Sequence, residues 1–191
     1  GELCEAAIAK VTQALNDGST EQAQIVIKED EEIDQIEKDI ERLCLKLLLQ
    51  QQPVARDLRR ISAALKMITD MERIGDQASD IAEIIGFLNG RIGTDAQYIC
   101  QMAVAAMRMV TESVEAYVKR DVAMAEATIQ HDDVVDDLFL KVKESLIQMI
   151  SENPKDGEYA LDLLMIAKYF ERIGDHATNI AEWVVFSVTG V

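Results

Sequence analysis

Eight carboxylates fall into two matching sets. Glu72 and Asp76 lie four residues apart in "ERIGDQASDIAE" (72–83), and Glu171 and Asp175 repeat that spacing in "ERIGDHATNIAE" (171–182), ninety-nine positions later. Nine of the twelve letters are identical, and the three that differ stay polar. Each set encloses a glycine, Gly75 or Gly174, which in a helix interior costs roughly 0.8 to 1 kcal/mol relative to alanine. Like charges at i, i+4 cost a few tenths more. A bound cation accounts for both features. Oxygen-only donors suit hard or borderline ions such as iron, manganese, magnesium or calcium, and bridging carboxylates allow more than one ion.

The acids need partners on a second helix, and the chain supplies them. On a helical wheel Asp76, Ser79 and Glu83 fall within about 40° of Glu72, with Ile74, Ala78, Ile81 and Ile85 opposite. The preceding helix carries a similar stripe of Asp30, Asp34, Glu37 and Glu41. In an antiparallel hairpin turning at Pro53, Asp30 meets Asp76 and Asp34 meets Glu72, since both pairs have an index sum of 106. In the second half Asp132 with Asp175 and Asp136 with Glu171 both give 307, centred between Asn153 and Pro154. The plainer reading is a solvated acidic face with Arg73 and Arg172 as counter-ions, the glycines simply letting a helix approach. Two copies in the same register favour metal. His131 and His176 lie beside the sets, but His176 is about 140° round the wheel from Glu171, which makes it an outer or surface residue.

The elements that must position these acids are helices. Apolar residues at helical spacing cover 1–16, "NDGST" breaks and caps, and Ile33, Ile36, Ile40, Leu43 and Leu47 mark a second helix over 20–52. Pro53 interrupts as the next helix starts, at about Val54, and that helix runs to Leu88 and ends at "NGRIG". The second half repeats the scheme at about 94–118, 121–152 and 157–188. The expectation is an all-α fold of six helices in two tandem, pseudo-symmetric three-helix bundles, 1–90 and 91–191.

Composition narrows the function. Of 191 residues 49% are hydrophobic, and only 5% are aromatic, which disfavours a sheet-rich fold. A net charge of −16, from 35 acids against 19 bases, repels nucleic acid and anionic lipid and attracts cations. No apolar run approaches the roughly 20 residues of a membrane span, and no signal-peptide pattern is visible. A start at Gly1 without methionine points to a trimmed product or part of something longer. Cys4, Cys44 and Cys100 form no CxxC pair, which fits a reducing cytoplasm and thiols used for packing.

"QQPVARDLR" (51–59), "ERIGDQASDIAE" and "AKYFERIGDHATNIAEWVVFSVTG" (167–190) closely resemble the PhoU family, and the resemblance covers nearly the whole chain. It implies cytoplasmic regulators of phosphate uptake that couple a phosphate-specific ABC transporter to a sensor histidine kinase, silencing the starvation response when phosphate is plentiful. It also implies multinuclear metal, iron or sometimes zinc, on the E(D)xxxD pairs, and the oxygen donors themselves also suit manganese or magnesium. The ligand candidates carried over are Asp30, Asp34, Glu72 and Asp76, then Asp132, Asp136, Glu171 and Asp175. Asp80 is a further candidate whose counterpart is Asn179, so the two sites are expected to differ in charge and occupancy.

Two other readings stand beside this one. A carboxylate-bridged di-iron enzyme would need a Glu-x-x-His pair, whereas the third residue after each Glu is glycine. A metal-free helical adaptor would use the acidic stripes to bind a partner. With no nucleophile–base pair or phosphate loop, no catalysis is expected. The expected partners are the transporter's ATPase subunit and the kinase, at the periphery of the membrane complex, with homodimer formation allowed and nucleic acid excluded. Arg56, Arg59 and Arg60 are the candidate docking segment.

Overall fold

The computed structural model describes residues 1–88, 90–91 and 96–190. Seven α-helices are present among them: α1 (Glu2–Asp17), α2 (Thr20–Gln51), α3 (Arg56–Phe87), α4 (Gln97–Lys119), α5 (Val122–Gln130), α6 (Asp132–Glu152) and α7 (Gly157–Thr189). No strand occurs among the described residues, as the sparse aromatics and the helical periodicity predict.

The helix ends follow local chemistry. Ser19 caps α2, its Oγ accepting the Gln22 N–H at 3.2 Å, which satisfies one of the first-turn donors. Pro53 disfavours αR at Gln52, which adopts φ 45°, and Ala55 follows at φ 46°. The hairpin turn is therefore 52–55, and α3 starts at Arg56, two residues later than the expected Val54. The expected stop at "NGRIG" and the start at 94 fall largely on residues 89 and 92–95, which lie outside the described residues.

One expected helix, 121–152, is broken at His131 into α5 and α6. The His131 N–H is shared between the carbonyls of Ala127 (3.2 Å) and Thr128 (3.0 Å). Its ring Nδ1 lies 2.9 Å from Glu112 Oε2 on α4. Counted as one kinked rod, α5–α6 restores the six-helix scheme. The kink places Asp132 and Asp133 in the first turn of α6, where the helix dipole favours acids.

α2 with α3 and α6 with α7 form the two antiparallel hairpins, and α3 and α7 pack against each other. That central seam is also antiparallel: Asp70 on α3 meets His176 and Asn179 on α7, and Asp80 faces Tyr169 and Arg172. Ile74, Ile81 and Ile85 of α3 and Ile166, Phe170, Ile173 and Ile180 of α7 are fully buried. They belong to a single apolar cluster that draws on both halves. With their inner faces thus used, α3 and α7 keep only their flanks for α2 and α6, and the repeated acids lie on those flanks.

Candidate metal centre

In the first half the hairpin register brings three of the four acids together, with Glu72 beside them but outside the converging set. One carboxylate oxygen each from Asp30, Asp34 and Asp76 can be chosen so that all three lie within 4.8 Å of one another. Gly75 makes this possible. A Cβ there would stand 2.7 Å from Asp30 Oδ1 and 2.9 Å from Ile33 Cδ1. Asp30 thus occupies the room a side chain would fill. Its Oδ1 and that of Asp34 are shielded from solvent with no hydrogen-bond partner among the described residues, a costly state for a carboxylate. The site is sunk into the α2–α3 groove rather than lying on the open outward stripe that the wheel suggests.

Electrostatics follow from that burial. The Asp30 carboxyl is pushed up to about 6, chiefly by desolvation and then by the charges of Asp76, Asp34 and Glu72. Glu72 is raised by burial and by Asp76, partly offset by Arg73. Among the described residues the counter-ions are at the rim: Arg73 Nη1 donates to Asp76 Oδ2 at 2.9 Å and its Nε stands 3.5 Å from Glu72, while Lys38 stands 3.7 Å from Asp34. A cation in the groove would meet two stranded carboxylate oxygens, which fits the donor set of a hard or borderline metal.

The second half has the same register and a looser build. Asp132 feels Asp136 and Asp175, and both of those feel Glu171, so the four acids share one neighbourhood. The Asp132 carboxyl is pushed up to about 6 by burial first and then by Asp136 and Asp175, while the neighbouring Thr178 hydroxyl acts the other way. Burial likewise raises Asp136 and Asp175. Among the described residues, however, no three of these oxygens converge as the first set does. Glu171 is held by Lys168. A Cβ at Gly174 would sit 3.4 Å from Asp132 Oδ1, so this glycine is not pressed upon.

Asp80 is not in the converging set, though its charge reaches Asp30. Its carboxyl is raised by burial and by Glu83 and Asp76, while Arg172 and the Tyr169 hydroxyl act the other way, so it belongs to the α3–α7 seam. Neither histidine joins a carboxylate set. His131 pairs with Glu112, and His176 Nδ1 lies 2.9 Å from Asp70 Oδ1, which also accepts from Asn179 at 3.1 Å. Asp70 went unnoticed in the sequence because its partners lie more than a hundred positions away. All three cysteines are free, and burial raises each thiol, which suppresses the reactive thiolate.

The sequence model of the PhoU domain matches residues 1–85 and 99–184. The chain belongs to the PhoU family. Each matched segment of this PhoU chain holds one carboxylate set. A phosphate-specific transport system accessory protein PhoU homolog of Clostridium acetobutylicum is 36% identical over all of this chain and 88% of its own length. The corresponding Pseudomonas aeruginosa protein is 33% identical over all of this chain and 79% of its own. In fold, the crystal structure of PhoU from Pseudomonas aeruginosa matches with a TM-score of 0.95 at 33% identity, covering the whole chain and 92% of that structure. The phosphate transport system regulatory protein PhoU from Streptococcus pneumoniae matches at 0.90 and 25% identity, over the whole chain and 90% of that structure.

Proposed function

We propose that this PhoU-family protein is a metal-binding, non-enzymatic regulator of phosphate transport. In this reading it works in the cytoplasm, couples a phosphate-specific ABC transporter to a sensor histidine kinase, and restrains uptake and the starvation response. Relatives named as accessory and regulatory proteins of phosphate transport support the transport role. No described helix is long and apolar enough to cross a membrane, so the expected contact with the transporter is peripheral, through its ATPase subunit. Exposed Leu49 and Val54 at the α2–α3 turn suit protein–protein docking there, to a partner or to a second copy.

The observation that carries the metal reading is the convergence of Asp30, Asp34 and Asp76 within 4.8 Å, where Asp30 and Asp34 each keep a shielded oxygen with no hydrogen-bond partner among the described residues. Asp30, Asp34, Glu72 and Asp76 would hold the ion, with Asp132, Asp136, Glu171 and Asp175 as a weaker second set. Iron is the first expectation, with zinc, manganese or magnesium as alternatives, in a multinuclear cluster where carboxylates bridge. A bound cation would neutralise the clustered charge and clamp α2 onto α3. Elemental analysis after dialysis tests this on wild type and on a Glu72→Gln, Asp76→Asn double variant. The variant should lose the first-half metal and keep its helical circular dichroism. Metal content untouched by the double change removes the assignment, and a wild type that binds none supports the metal-free adaptor.

A further inference from the structure

Arg56, Arg59 and Arg60 open α3, where the helix dipole disfavours cations. They do not present a flat surface. A cavity of about 460 Å³ lies among them, lined also by Tyr117, Val118 and Arg120 at the end of α4 and by Ser187 and Val188 at the end of α7. Four arginines from two distant parts of the sequence therefore line one cavity in a chain of net charge −16. Among the described residues Arg56, Arg59 and Arg120 meet no carboxylate, and Arg60 reaches only the exposed Asp57 at 3.6 Å. Arg59 Nε is shielded from solvent and has no hydrogen-bond partner among the described residues. Its guanidinium packs against Gly190, whose φ of +87° and missing side chain leave it room.

One guanidinium could be explained as a cap for the carbonyl end of α7. Three more around the same cavity are not explained that way: Arg60 has Asp57 at 3.6 Å, but Arg56 and Arg120 meet no carboxylate among the described residues, and an anion in the cavity would relieve the repulsion among them. We propose that this cavity binds a phosphate-type oxyanion, either free inorganic phosphate or the phosphate group of a small molecule. Guanidinium forks pair bidentately with the several oxygens of a tetrahedral dianion, whereas a single carboxylate occupies one fork. The volume falls in the range of small-molecule sites, roughly 300 to 1,000 Å³. Tyr117 and Val118 offer a wall for a non-phosphate portion. The inference is independent of the carboxylate centres and of the transport role.

Isothermal titration calorimetry on the 191-residue protein at low salt, with chelator present, keeps the metal centres out of the measurement. The probes are inorganic phosphate, pyrophosphate, ADP and a glutamate-rich peptide. We expect saturable one-to-one binding of a phosphate probe that weakens as salt is added. Arg56→Gln and Arg120→Gln should each weaken it about tenfold, the loss of one hydrogen bond to a charged group. Both residues are exposed, and unchanged circular dichroism will show that the variants fold. Similar affinity for the three phosphate probes identifies free phosphate as the source, and a clear preference for ADP identifies an attached phosphate. The proposal is overturned if no phosphate probe binds saturably, if binding survives both substitutions, or if the peptide binds more tightly than every phosphate probe. That last outcome would make the arginines a docking surface for an acidic protein.

Discussion

Gly75→Ala and Gly174→Ala are the same change at equivalent positions, and the structure predicts different results. In each helix alanine gains about 0.8 to 1 kcal/mol of intrinsic propensity. At Gly174 the new Cβ stands 3.4 Å or more from its neighbours, so the gain should persist and stabilise the protein by roughly 0.5 to 1 kcal/mol. At Gly75 it meets Asp30 Oδ1 at 2.7 Å and Ile33 at 2.9 Å. Asp30 must retreat by about 0.7 Å, from 2.7 Å to the 3.4 Å of ordinary contact, and Ile33 must repack. Overpacking of this kind costs about 1 to 3 kcal/mol. The net effect is thus between neutral and about 2 kcal/mol destabilising, and the two variants should differ by at least about 1 kcal/mol. Urea unfolding of the chelated proteins measures that gap. Metal binding should separate them further, because a displacement of about 0.7 Å exceeds the ~0.2 Å tolerance of a coordination bond. Gly75→Ala should therefore lose more than the 10- to 100-fold typical of changes to a ligand's supporting partners. Equal stability of the two variants, together with wild-type metal affinity in Gly75→Ala, would refute the argument that the glycine exists to admit Asp30.

The metal-free protein should become more stable as pH falls from 7 towards 5. Asp30 and Asp132 are raised to about 6 from an ordinary value of 3.8, so between about pH 4 and 6 the folded state holds protons that the unfolded chain has lost, and stability declines as pH rises through that window. After discounting for partial exposure the gain is about 1 to 2 kcal/mol. Urea midpoints that fall on mild acidification of chelated protein would contradict it, and loaded protein should show the opposite trend as protons displace metal. On the seam, Asp70→Ala removes an acceptor shared by His176 and Asn179 and should lower stability by about 1 to 3 kcal/mol while leaving metal content unchanged. A parallel loss of metal would mean that the seam and the carboxylate centre are one unit.

The hairpin register was legible because Pro53 and the Asn153–Pro154 turn are strong local punctuation, and antiparallel geometry turns a turn's position into a pairing rule. The carboxylate convergence at Asp30, Asp34 and Asp76 follows from that rule. What the sequence hid depends on long-range packing. The His131 break lacks glycine or proline, and the histidine is held by Glu112 from another helix. Arg120 stands sixty positions after Arg60 and joins the arginine segment only through the tertiary fold. The inequality of Gly75 and Gly174 is a matter of tenths of an ångström between side chains, which identical letters cannot encode.

The seam explains the one acid that the two repeats do not share. Under the ninety-nine-residue offset Asp80 corresponds to Asn179, and Asp70 corresponds to Tyr169. Across the seam Asn179 donates to Asp70 at 3.1 Å, and Tyr169 faces Asp80. These are the same contact seen from the two halves. In both, the carboxylate stands on α3 and the neutral donor on α7. An aspartate at 179 would set two carboxylates against each other across the seam, and the Asp70 oxygen would lose its amide donor. The loss of an acid in the second repeat therefore follows from pairing two near-copies face to face, where one must accept what the other donates. Asp80 finds its neutral donor across the seam, and the likeness that survives between the repeats spans both the buried residues of that seam, Ile74 with Ile173 and Ile81 with Ile180, and the acids on the flanks turned towards α2 and α6.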